Sequence, residues 1–347
     1  MFSACNSPHF VVEYHLYNQG IVDAYLYNFH ALRGLGVIRL LKYIMKRLLA
    51  GVLTIFVLIT ISFFMMHAMP GSPFSPNEQK NVPPEVLARI AASYGLDRPV
   101  GEQYLNYWKN LLHGDLGISF KKQDTTVNSI IAIHFPVSAR VGAVAVAVAL
   151  IIGIPMGVLA ALYRGRVMDM AAMVFCTIGI SVPVFVISVL LLYLFAGVLK
   201  WLPSYGLTSW RHYILPVACL AFNPIAYITR QTRSSMLESL EQDYIRTARA
   251  KGVKELWVVG KHALKNALTP VITYLGPLVA GLLTGSFVVE RLFSVPGVGR
   301  YFVQSVSDRD YTMIMGIVIF FGIFVVICNL ISDILLAIVD PRVKLNS

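Results

Sequence analysis

Charge is scarce in this chain: Asp, Glu, Lys and Arg make up 14% of its 347 residues, against about a quarter in an ordinary soluble domain. Such a composition cannot clothe a globule of this length in polar surface, which excludes an ordinary soluble domain. Cysteine is also sparse. Cys5, Cys176, Cys219 and Cys328 show no CxxC spacing and three of them lie in apolar runs, so neither a disulfide framework nor a zinc site is implied. The chain lacks a GxxxxGK[ST] phosphate loop, an HExxH metal pair and a GxSxG nucleophile elbow. No ATP binding, metal, cofactor or catalysis is therefore expected of it. Its eight histidines are scattered, and His113 and His134 lack ligand spacing, which favours structural roles.

What the chain has is apolar length. Hydrophobic residues make up 56% of it, with a mean hydropathy of +0.67. Six stretches reach the roughly 20 residues that cross a hydrocarbon core: 44–66, 138–163, 168–199, 213–229, 271–289 and 311–339. The third and sixth exceed one crossing, which predicts tilt, a kink or an interfacial extension, and Pro183 is placed to kink the third. The expected fold class is an all-α integral membrane protein of six transmembrane helices with a small external domain.

The formal charge of +11 raises the possibility of nucleic acid. Its placement argues against that partner, because the basic residues flank apolar spans instead of forming a soluble basic face. Arg39, Lys42, Lys46 and Arg47 precede the first span, and the segment from Arg230 to Lys265 carries eight Lys/Arg against four Asp/Glu. The positive-inside rule puts both in the cytoplasm. Six crossings then bring the C-terminus, with Arg342 and Lys344, to the same side, along with the loop holding Arg164 and Arg166.

The organisation expected is a leader at 1–38, a first span at 39–67, an external domain at 68–137 and a five-helix core at 138–347. The leader lacks the pattern of a cleavable signal peptide. The external segment opens on MPGSPFSP, an extended exit; helices are expected over PPEVLARIAASYGL and over 102–112, each closed near a glycine.

The core contains a polar loop at 230–269. There the acids Glu238, Glu241 and Asp243 precede the bases Arg246, Arg249 and Lys251, an order that suits a helix dipole. Gly252 can end that helix, and a second can run from Lys254 to Leu268. The result is a helical hairpin with small residues Thr247, Ala248 and Ala250 open to a partner's groove, and with bases able to meet an acidic rim or lipid phosphates. A lipid-anchored amphipathic hairpin and a docking element both fit this pattern.

This hairpin resembles the cytoplasmic coupling loop of binding-protein-dependent ABC permeases. Its RTARAKG, followed by KHALKNALTPV, is similar to the version carried by oligopeptide and dipeptide permeases. Three other stretches agree in order and place: KYIMKRLLAGVLTIFVLITISFFMMHAMPG, YGLDRPVGEQYLNYWKNLLHGDLGISF and ERLFSVPGVGR. The resemblance runs from about Arg39 to the C-terminus. It implies a multi-pass subunit of a bacterial cytoplasmic membrane, with both termini cytoplasmic. The implied partners are a second homologous permease subunit, two cytoplasmic ATP-binding subunits that hydrolyse ATP, an external substrate-binding protein and membrane lipid. Carried over from the matching stretch, the coupling residues are Arg246, Thr247, Ala248, Lys251, Gly252 and His262.

Polar groups inside spans are costly, so Asn223, Asn329 and Asp333 are candidates for the translocation path, with Glu290 and Arg291 as a gate at the end of span five. The alternatives are interhelical hydrogen bonds and interfacial charge pairs. Small residues in span two (Gly142, Ala143, Gly153, Gly157) and span five (Gly276, Gly281, Gly285) indicate close packing, within the chain or against a partner. Three other functions are weighed. A nickel importer of the same group shares every feature above. An ion-coupled transporter calls for several mid-membrane charges and internal repeats, and an intramembrane enzyme for paired catalytic groups.

Overall fold

The computed structural model describes residues 44–68, 83, 85–86, 92, 95–122 and 125–339, with side chains to 336. Cys5, the leader at 1–38, Arg342, Lys344 and most of the expected PPEVLARIAASYGL helix lie outside the described residues. Among these the regular secondary structure is helical, apart from one isolated bridge between Ile118 and Thr126.

In chain order, α1 is Ile44–Ala68, α2 Val100–Leu112, α3 Val127–Leu162 and α4 Val167–Ser181. Helix α5 is Val184–Leu191 with a π-helical continuation, Leu192–Val198, and α6 is Arg211–Leu240. Helix α7 is Asp243–Ala250. Helix α8 runs from Glu255–Trp257 through π-helical Val258–Ala263 to Leu264–Ala267. Then come α9 Thr269–Leu283, α10 Phe287–Leu292, α11 Val298–Asp308 and α12 Tyr311–Val339. Among the described residues five stretches are long and apolar enough to cross a membrane: α1, α3, α6, the run Thr269–Leu292 and α12. The pair α4 and α5 makes a sixth if counted as one span.

Two limits differ from the hydropathy reading. Span two, expected from 138, starts at Val127, where Thr126 Oγ1 accepts the Ser129 N–H and caps the helix. Span four, expected to stop at 229, continues as α6 to Leu240, because 230–240 is polar but contains no glycine or proline to end it. Glu238 therefore rides on α6 and not on the first helix of the hairpin. The kink expected at Pro183 is a bend of 106° between α4 and α5.

Helix α6 is the most enclosed of the long helices. Helix α3 lies close against it because a Cβ at Gly153 or Gly157 would stand 2.9 Å from Ile228 Cγ2 or 2.6 Å from the Thr229 carbonyl. Gly142 and Gly276 also pack within the chain, against α9 and α12 respectively. Ala143, by contrast, is exposed, and Gly281 faces open space. The three described cysteines, Cys176, Cys219 and Cys328, are free and buried. The loop from Leu240 to Thr269 lies at one end of this bundle, the hairpin end; α2 packs at the other, the far end, with Tyr104, Tyr107 and Trp108 against α1 and α12.

Candidate coupling hairpin and polar groups of the spans

Helix α7 is two-faced. Ile245 and Ala248 turn inward onto Ala161 of α3, Met236 of α6 and Val258, Ala263 and Ala267 of α8. Arg246, Thr247 and Lys251 point outward. Its end is set by Gly252, at φ +74°: the Gly252 N–H donates to the Arg249 carbonyl (2.9 Å) and the Val253 N–H to that of Ala248 (3.2 Å), a Schellman closure that needs the left-handed region at this residue. Val253 packs on the same apolar cluster.

Polar bonds brace the two helices. Arg249 donates to Glu255 through Nη2 (2.7 Å) and Nε (3.2 Å), which holds the Glu255 carboxyl below its ordinary range. Asn266 Nδ2 donates to the Tyr244 hydroxyl (2.9 Å). Arg246 faces Asp243 at 3.7 Å with both side chains in solvent, and Thr247 Oγ1 returns a hydrogen bond to the Asp243 carbonyl.

Ala248 is only 8% exposed. It anchors the hairpin to its own bundle and does not offer the small outward surface expected of it. The exposed small residues are Thr247 and Ala250. His262 is half-buried within the π-helical turn of α8. Two residues unforeseen in the sequence stand out on α8: Leu256 is 88% exposed and Trp257 60%. Their lone place at the start of a three-residue helical turn gave no periodicity by which to assign them a face.

The polar groups of the spans are mostly committed to ties within the chain. Pro183 has no N–H to give the Gly179 carbonyl, and Asn223 Nδ2 supplies the missing donor at 3.1 Å. Asp333 pairs with Arg47 at 3.2 Å, fastening α12 to α1. Asn329 lies against Gly276, and its Oδ1 is buried without a hydrogen-bond partner.

Glu290, at 4% exposure, sits in a cradle at the far end. Ser138 Oγ donates to its Oε1 (2.6 Å), the Arg300 N–H donates to Oε2 (3.0 Å), and the Val298 N–H donates back to Ser138 Oγ (2.9 Å). The carboxylate thus covers the first turn of α11, where free N–H groups and the helix dipole favour an anion. A Cβ at Gly285 or Gly297 would stand 2.1 or 2.4 Å from the carboxyl group, so the cradle closes only around glycine. Arg291, its neighbour, is exposed.

The sequence reading missed two further buried groups. Asp169, in the first turn of α4, binds Arg233 of α6 through both carboxylate oxygens. Asp310 caps α12 through the Met313 N–H and accepts from Ser119 Oγ and the Phe120 N–H. An acid in the first turn of an apolar span is a signal that could have flagged Asp169; the partners of both lie too far along the chain to be read.

Comparison with known families matches residues 153–345 to the binding-protein-dependent transport system inner membrane component. Residues 40–142 match the N-terminal part of the membrane component of such systems. The dipeptide transport system permease protein DppB of Bacillus subtilis is 46% identical over 305 residues, which covers 88% of this chain and 98% of that protein. The oligopeptide transport system permease protein OppB of Salmonella typhimurium is 45% identical over 307 residues, 88% of this chain and all of that protein. Among solved structures, the inward-facing MetNI methionine ABC transporter gives a TM-score of 0.49 at 18% identity, over 61% of this chain and 96% of that one. With its helical spans and its two matched regions in order, this chain belongs to the family of binding-protein-dependent transport system inner membrane components.

Proposed function

We propose that this chain is the membrane-spanning subunit through which an ABC importer passes oligopeptides or dipeptides. What carries the reading is the identity of 44–46% to relatives named for peptide transport, spread over 88% of the chain. The subunit lies in the bacterial cytoplasmic membrane with both termini and the hairpin end on the cytoplasmic side. The segment 68–126 and the start of α3 form its external portion. ATP is hydrolysed by two cytoplasmic partner subunits, a second homologous permease completes the path, and an external substrate-binding protein delivers the solute.

The hairpin is the docking element for the ATP-binding subunit. Arg246, Thr247 and Lys251 supply its polar contacts, Leu256 and Trp257 its apolar ones, and Ala248 and Gly252 its shape, with His262 supporting α8. Two exposed apolar side chains and exposed cations on a helix pair braced from behind suit a groove with an acidic rim. The polar groups Asn223, Asp333 and Glu290 hold helices around the path, and of the four candidates Asn329 is the one whose side-chain oxygen is left without a hydrogen-bond partner to line it.

Purification from mild detergent, followed by mass identification of what accompanies the chain, tests this. Two ATPases with phosphate loops, a second permease and a receptor carrying short peptides are expected. Nickel on that receptor would replace the peptide assignment with the metal. A chain that purifies alone in several detergents would remove the docking role from the hairpin.

A further inference from the structure

Helix α4 is held by a narrow contact. Its buried residues, Asp169, Ala172, Cys176 and Gly179, form one stripe at helical spacing. Beyond Asp169 these side chains are small, and the larger contact in the middle of the helix is Phe175, edge-on to Phe222 of α6 at 5.3 Å between ring centres. Polar ties fix the two ends. At the bend, Asn223 of α6 binds the Gly179 carbonyl that Pro183 leaves free, and a Cβ at Gly179 would meet Ala226 of α6 at 2.5 Å.

At the hairpin end the tie is ionic. Asp169 is 4% exposed. Arg233 donates to it through Nε (2.5 Å) and Nη2 (2.8 Å), and the Gly165 N–H adds a third bond (2.9 Å). A forked guanidinium on a carboxylate has one geometry and resists rotation of either side chain. Arg233 lies on the polar extension of α6, one turn before Met236, and Met236 is the α6 residue buried against α7 and α8. Hairpin, α6 extension and α4 are thus joined in series.

We propose that Asp169 and Arg233 are positioning residues of the transport cycle, through which displacement of the hairpin is passed by α6 to α4 and so to the bend at Pro183. This rests on the reading of the chain as a permease driven from its hairpin. Packed apolar residues can hold two helices as firmly as a buried ion pair. What the pair adds is a fixed orientation between an element that receives motion and a broken span that can change shape.

The test uses the complete complex in proteoliposomes, measuring peptide imported per ATP hydrolysed. Asp169→Asn and Arg233→Gln are each expected to lower that ratio at least tenfold, with ATP hydrolysis within twofold of the parent complex. The exchange Asp169→Arg with Arg233→Asp should recover at least half of it. Spin labels at Val167→Cys and Glu238→Cys, in a cysteine-free background, should keep one separation without nucleotide and with ATP and vanadate, and should broaden in Asp169→Asn. An unchanged import ratio in both neutral variants overturns the proposal, and so does a label separation that differs between nucleotide states in the parent. The label measurement needs no change at the pair, so it decides even where the variants fail to assemble. Failure of the parent complex to hydrolyse ATP or import peptide would instead overturn the function proposed above, before any variant is made.

Discussion

The cradle around Glu290 and the hairpin at the opposite end of the bundle both collect charge, and they use it in opposite ways. In the cradle the carboxylate is enclosed, accepts from Ser138 and the Arg300 N–H, and is walled by glycines. Nothing of it is left to bind a partner. In the hairpin the charged groups stand outward and the chain's own packing uses Ile245 and Ala248. A buried polar group must be satisfied within the fold, because its desolvation cost is otherwise unmet. An exposed one carries no such debt and is free for recognition. The difference teaches that candidates drawn from polarity inside spans are mainly helix fasteners, while the exposed face of a well-braced element is what the fold leaves free for recognition.

This contrast can be broken or sharpened by substitution, with stability read from unfolding in mild detergent. The largest effect is expected from Glu290→Ala, which strands Ser138 Oγ and the Arg300 N–H around a void and costs about 3–5 kcal/mol; parent-like stability would show that the cradle is not a fastener. Gly285→Ala puts a Cβ into the carboxylate at a φ of +92° and should cost about 2–3 kcal/mol. Next comes Asn223→Leu. It leaves the Gly179 carbonyl without a donor in an apolar setting, for about 1–2 kcal/mol, and a neutral result would mean that the bend at Pro183 is satisfied in some other way.

On the hairpin the expectation reverses. Arg246→Glu combined with Lys251→Glu should change stability by less than about 0.5 kcal/mol, yet lower co-purification of the ATP-binding subunits at least tenfold. Retention of those subunits would place docking elsewhere. The smallest effect concerns pH. The bond from Arg249 holds Glu255 below its ordinary value, so its contribution is fully present above the unfolded Glu pKa of about 4.3 and is lost as the pH falls through the lower folded value. Both side chains are about half exposed, which limits the contribution to a few tenths of a kcal/mol. Glu255→Gln should abolish that part of the acid sensitivity.

What the sequence by itself determined is what local composition and periodicity encode. Apolar length named the spans, Pro183 marked the break in the third, and Gly252 marked the stop of α7, because each depends on residues within one or two turns. Hydropathy could not place the end of α6, since the polar residues 230–240 leave the apolar stretch without leaving the helix. The tertiary structure alone decided direction and partnership. Ala248 and Arg246 are two positions apart and face opposite ways once α7 has a bundle to rest on. Glu290 meets Ser138 across 152 positions, Asp169 meets Arg233 across 64, and Ser119 meets Asp310 across 191. No local pattern carries such pairings, because the free energy that selects a partner for a buried charge exists only after the helices have packed and removed the water.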